Sequence, residues 1–158
     1  MLKPPIERLA PYAPVLLRLV VGITFLMHGL HKLQDPASFI GLMAFLKMPL
    51  LPVSGWLIIF LEIVGGLFML LGLGTRWLGI LFAIEMAVTT LLAKLSIGFI
   101  ASPGAPAAGY ELDLLLLGTS LALVLLGSGP FSLEQNVLKR AGTQKSRNLS
   151  VSMKGRHP

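Results

Sequence analysis

Apolar residues fill long stretches of this chain, and proline, glycine and charge punctuate them. The pattern predicts helices over residues 13–33, 53–73, 75–97 and 110–126. The first covers about 20 residues, enough to cross a hydrocarbon core of about 30 Å. Pro14 suits its first turn, where a missing N–H does no harm. Gly72 and Gly74 mark a tight turn, and Thr75, Arg76 and Trp77 open the third helix. A loop rich in Ala, Pro and Gly, residues 98–109, leads into the fourth, which Gly127-Ser128-Gly129-Pro130 ends.

Between the first two long helices lies a shorter element. Asp35 and Pro36 supply an N-cap and a first-turn proline. Phe39, Leu42, Met43 and Leu46 follow at helical spacing, then Lys47, with Pro49 and Pro52 as terminators. The segment is too short to span and reads as an amphipathic helix at the interface. Ser132 and Gln135 form a capping-box pattern for a surface helix carrying Leu133, Val137 and Leu138. The expected fold is all-α: a transmembrane four-helix bundle with a short interfacial helix between helices 1 and 2. It occupies residues 1–140, and 141–158 form a disordered basic cytoplasmic tail.

Composition sharpens this picture. Mean hydropathy is +0.81 and charged residues make up 13%, against roughly 25% in soluble domains. The net charge of +6 is uneven, with six of the thirteen Lys and Arg after Phe131. A basic tail beside a spanning helix meets anionic lipid headgroups more readily than nucleic acid, so the expected partner is the bilayer. Lys3, Arg8, Arg76 and the tail lie on one side, which places both termini in the cytoplasm of a cell (inner) membrane protein. Lys32 and Lys47 lie on the other side, and Trp56 and Trp77 fall near opposite interfaces. The first helix carries Arg18 and lacks a small-residue cleavage site, so it is expected to be retained. With no cysteine, this chain by itself holds no disulfide, thiol redox centre or iron–sulfur ligand.

Charges inside the spans carry the functional signal. Arg18 and Glu62 each sit alone in an apolar run, and a charge at mid-span costs about 2.5–3.5 kcal/mol on insertion scales. Opposite signs on two helices predict that they pair. Arg18, Gly22, Phe25, Gly29 and Lys32 share one face of the first helix, and Glu62 shares a stripe with Gly55, Gly65, Gly66 and Met69. Stripes of small residues and charge face protein, so these two helices should touch. Two compatible readings stay open: an ion pair that fixes register, or a site that binds a polar head group or carries protons.

Depth counting puts Arg18 in the inner third and Glu62 and Glu85 near the middle. It puts His28, His31, Lys32, Lys94, Glu111 and Asp113 toward the outer side. His28 and His31 suit hydrogen bonding or proton acceptance better than metal ligation, and no metal site is expected. Glu85 is expected beside lipid and neutral, since no small-residue stripe surrounds it, and Lys94 is expected to snorkel outward. Glu111 and Asp113 either complement the helix dipole or pair with Lys32, Lys94 or His28. The methionines read as packing residues.

Three ordered stretches resemble the DoxX family of small four-helix membrane proteins. They are Leu17-Arg18-Leu19 with Gly22, Phe25, His28-Gly29 and Lys32-Leu33; Leu61-Glu62 with Gly65-Gly66, Leu70-Leu71-Gly72 and Thr75-Arg76; and Gly109-Tyr110-Glu111-Leu112 with Gly127 to Pro130 and Ser132-Leu133. The likeness covers about residues 13–135. It implies a membrane bundle with a shared polar set of Arg18, His28, Lys32, Glu62 and Glu111. His31 is a further polar candidate, and Glu85 and Asp113 look like departures from apolar positions. The family name comes from a subunit linked to thiosulfate:quinone oxidoreduction, and other members are associated with oxidative or thiol stress. The resemblance therefore implies a quinone-linked oxidoreductase subunit that needs a bound quinone or a redox partner. In it, Arg18 or His28 would hold a quinone carbonyl and Glu62 would exchange a proton. The alternative is a non-catalytic membrane partner or assembly factor that binds another protein, a further copy of itself or a small lipophile. A small transporter fits less well, because the Lys/Arg asymmetry is strong.

Overall fold

Pro14 stands in the first turn of α1 (Ala13–Gln34), where it breaks no intrahelical hydrogen bond. A 3-10 turn, Ala10–Tyr12, extends the helix backward, so the apolar span is Ala10–Gln34. The computed structural model describes residues 5–45, 48, 50–105 and 108–135. Every regular element among the described residues is helical. After α1 come α2 (Pro36–Phe45), α3 (Val53–Leu71), α4 (Thr75–Lys94) and α5 (Glu111–Leu126). The all-α expectation and the order of elements are borne out.

Three segments, Ala10–Gln34, Val53–Leu71 and Thr75–Lys94, are long and apolar enough to cross a membrane. α5 has 16 residues, about 24 Å of rise against a hydrocarbon core of about 30 Å. The turn between α3 and α4 closes as the glycines predict. Gly72 lies at φ 69° and Gly74 at φ 59°, where a Cβ would be strained. The Leu73 N–H donates to the Phe68 carbonyl and the Gly72 N–H to that of Met69, a Schellman ending. At the start of α2, the Ser38 N–H donates to Asp35 Oδ1 at 3.0 Å, the predicted cap.

Hydrophobic spacing did not reveal two π-helical turns. Leu61–Gly65 interrupts α3, and Thr90–Lys94 ends α4. Such turns recur at functional sites.

The seam between α1 and α3 is set by glycine. A Cβ at Gly66 would stand 2.7 Å from the Leu26 nitrogen, and one at Gly29 would stand 2.8 Å from the Glu62 Cβ. Backbones this close leave no room for side chains. The core joins Val21 and Phe25 of α1, Met69 of α3, Phe82 and Met86 of α4, and Leu116 and Leu123 of α5. Phe25 and Phe82 stack with centroids 3.7 Å apart. The outward face of α1 is apolar as well, with Leu16, Leu19, Val20, Ile23, Met27 and Leu30 all exposed. A helix apolar on both its packed and its outward face belongs in a bilayer.

Ser132 caps the chain that follows it, its Oγ accepting from the Gln135 N–H at 3.2 Å. The rest of that expected surface helix, the tail 141–158, and Leu46, Lys47 and Pro49 at the end of α2 lie outside the described residues.

Candidate functional site

The absent side chain at Gly29 leaves the space that Glu62 occupies. Lys32 lies one turn further along the same face of α1. Its Nζ forms an ion pair with Glu62 Oε1. Glu62 is 1% exposed, while the Lys32 side chain keeps 22% of its surface and reaches in from the mouth of the site. The same ammonium stands 5.0 Å from the centroid of Phe39, so α2 closes over the pair with a cation–π contact.

Glu85 does not face lipid as expected. It is 9% exposed and lies within hydrogen-bonding reach of Glu62. The reason is its register on α4: Phe82, Glu85 and Met86 follow i, i+3, i+4, and the two apolar members face the core. One carboxyl oxygen on Glu62 and one on Glu85 are buried without a donor.

A second ion pair, with a buried carboxylate and a half-buried ammonium, joins α4 to α5. Lys94 Nζ meets Asp113 Oδ1 at 2.6 Å, and the Thr90 hydroxyl reaches Oδ2 at 3.4 Å. Lys94 therefore turns inward rather than snorkelling, and Asp113 takes the pairing role rather than only the dipole role. Each π turn carries one member of an ion pair, Glu62 in α3 and Lys94 in α4. The sequence signal for Lys94 was an opposite charge, Asp113, at a similar expected depth on the next long apolar helix.

Arg18 is buried at 3% exposure, but not against Glu62. Its Nη1 donates to the Ser128 carbonyl at 2.6 Å and its Nη2 to that of Phe131 at 3.4 Å. The guanidinium packs against Gly72, where a Cβ would collide with it. The correction follows from register. Glu62 sits opposite Gly29, and eleven residues of α1 separate Gly29 from Arg18, about 16 Å of rise. Arg18 anchors the loop after α5 instead of neutralising the carboxylate.

His28 and His31 are exposed, although the charges of Lys32, Glu62, Lys94 and Asp113 all act on His28. Glu111 is exposed at the start of α5. Of the expected polar set, the structure thus gathers Lys32 and Glu62, adds Glu85 to them, leaves His28 at their edge, and sends Arg18 elsewhere. Among the described residues, no three of His, Asp and Glu are grouped to hold a metal ion. An ammonium and two carboxyls enclosed by apolar side chains can hold, give or take a proton and can orient a polar ligand atom.

The family model described as DoxX matches residues 13–95. A Bacillus subtilis (strain 168) protein named "Putative oxidoreductase CatD" is 34% identical over 137 residues, which span 87% of this chain and 93% of that protein. A Haemophilus influenzae protein named "Uncharacterized protein" is 33% identical over 137 residues, spanning 85% of this chain and 98% of its own length. No solved structure matches the chain.

Proposed function

This chain belongs to the DoxX family of membrane proteins, and we propose that it serves as the quinone-linked subunit of a membrane oxidoreductase. The observation that carries this reading is the Lys32–Glu62 ion pair, whose carboxylate is buried in the interior of the helical assembly while the ammonium reaches it from the mouth. A quinone becomes a quinol by taking two electrons and two protons. The Lys32 ammonium would stabilise the oxyanion that develops on a quinone oxygen, and Glu62 would pass the two protons to it in turn, taking up a second from water at the mouth after giving the first. The electrons would come from a redox partner protein; without cysteine the chain has no thiol or iron–sulfur centre to supply them. The name of the Bacillus relative agrees with such a role.

A groove of about 330 Å³ supports a lipophilic ligand. Leu57, Phe60, Leu61, Val64, Gly65, Phe68 and Leu78 line it. Leu61 and Gly65 belong to the same π turn as Glu62, so a prenyl tail in the groove would lie on another side of the turn that carries the carboxylate. In this reading α5 is the fourth span of a four-helix bundle in the cell inner membrane, with both termini cytoplasmic.

Extraction in mild detergent followed by lipid analysis tests the proposal. Quinone should co-purify with the wild type and bind about tenfold more weakly to Glu62→Gln and Lys32→Met, a loss of roughly 1.4 kcal/mol. Stable co-purification of another protein with no quinone would favour an assembly role and overturn it.

A further inference from the structure

We propose that Glu62 and Glu85 together form an intramembrane binding site for one exchangeable proton, with Lys32 as its counter-charge. The two carboxyls come from different helices, α3 and α4, and meet within hydrogen-bonding reach. Both are at least nine-tenths buried. Each keeps one oxygen, Oε2, with no donor. Two ionised carboxylates offer acceptors only, so neither can satisfy the other. A proton on one of them turns it into a donor and closes the contact.

Charge counting leads to the same place. Lys32 neutralises one carboxylate through its contact with Glu62 Oε1. A second carboxylate would leave a net negative charge beside the core residues Phe82 and Met86. Other cations of the spans are engaged elsewhere: Lys94 by Asp113, Arg18 by two carbonyls, and Arg76, in the first turn of α4, beside Gly127. The charges that act on Glu85 are those of Glu62 and Lys32. His28 on α1 stands near enough to feel Lys32 and Glu62, and the Lys94–Asp113 pair of α4 and α5 acts on His28. One proton makes the cluster neutral and satisfies its orphaned oxygens. The identity of the proton acceptor rests on the quinone reading above; the proton site itself does not.

Infrared spectroscopy of the protein in nanodiscs of quinone-free lipid separates the two. The wild type at neutral pH should show the carbonyl stretch of one protonated carboxylic acid, sensitive to deuterium exchange. Labelling glutamate side chains with carbon-13 should shift this band, and labelling aspartate should not. The band should vanish in Glu85→Gln, whose amide still donates to Glu62, and in Glu62→Gln, where Glu85 inherits Lys32. Absence of the band in the wild type, a shift with aspartate labelling, or persistence of the band in both variants overturns the proposal. If the band behaves as expected while no quinone binds, the proton site stands and the quinone reading falls.

Discussion

Gly29 and Glu62 face each other across the α1–α3 seam so closely that a Cβ on the glycine would lie 2.8 Å from the Cβ of the glutamate. This contact fixes the register of the two helices, and the register decides which charge Glu62 meets. Gly29→Val should force the seam apart and destabilise the fold by about 1–3 kcal/mol, the usual cost of overpacking. A lowered midpoint in an SDS unfolding titration would register it. Gly118→Ala on α5, where nothing lies within 4 Å, should leave that midpoint unchanged or slightly higher.

Lys32→Met should be more damaging than its partly exposed position implies. It leaves the carboxylate of Glu62 buried without its cation, a change that costs about 3–5 kcal/mol in comparable pairs. The double variant Lys32→Met with Glu62→Leu should recover most of that loss, because no charge remains to be compensated. If the double variant is as unstable as the sum of the single ones, the two residues are not coupled.

The second ion pair allows a comparison of magnitudes. Thr90 reaches Asp113 through a long contact of 3.4 Å, so Thr90→Val should cost less than about 1 kcal/mol. Lys94→Met strips Asp113 of its cation and should cost about 3–5 kcal/mol. Thermal unfolding in detergent, compared across the two variants, checks the order.

Arg18 should control the loop after α5 and not the Glu62 site. Arg18→Lys loses the planar fork that spans the Ser128 and Phe131 carbonyls. Amide hydrogen exchange should speed up at residues 127–132, about tenfold for each 1.4 kcal/mol lost, and stay unchanged around Glu62. Faster exchange around residue 62 instead would mean that the guanidinium acts on the carboxylate after all.

Much of this was legible in the chain itself. Apolar runs marked the spans, Pro14 and Asp35 marked helix starts, and Gly72 and Gly74 marked the turn, because each acts through chemistry local to a few residues. The stripe of Gly22, Gly29 and Lys32 correctly identified the face of α1 that meets α3. Glu85 was also legible in principle, from its spacing to Phe82 and Met86, which are large apolar residues rather than a small-residue stripe.

Partnership was a different matter. Periodicity says which face a charge occupies and roughly how deep it lies, but not how far one helix has slid along the next. One turn of slip, about 5.4 Å, is enough to exchange one partner for another. Contacts between residues distant in the chain, such as Gly29 on Glu62 and Gly66 on Leu26, set that slip. They gave Glu62 to Lys32 and Glu85, and Arg18 to the carbonyls of a loop 110 residues away. Sequence alone determined that charges had to be buried in a membrane; only packing decided how they were to be neutralised.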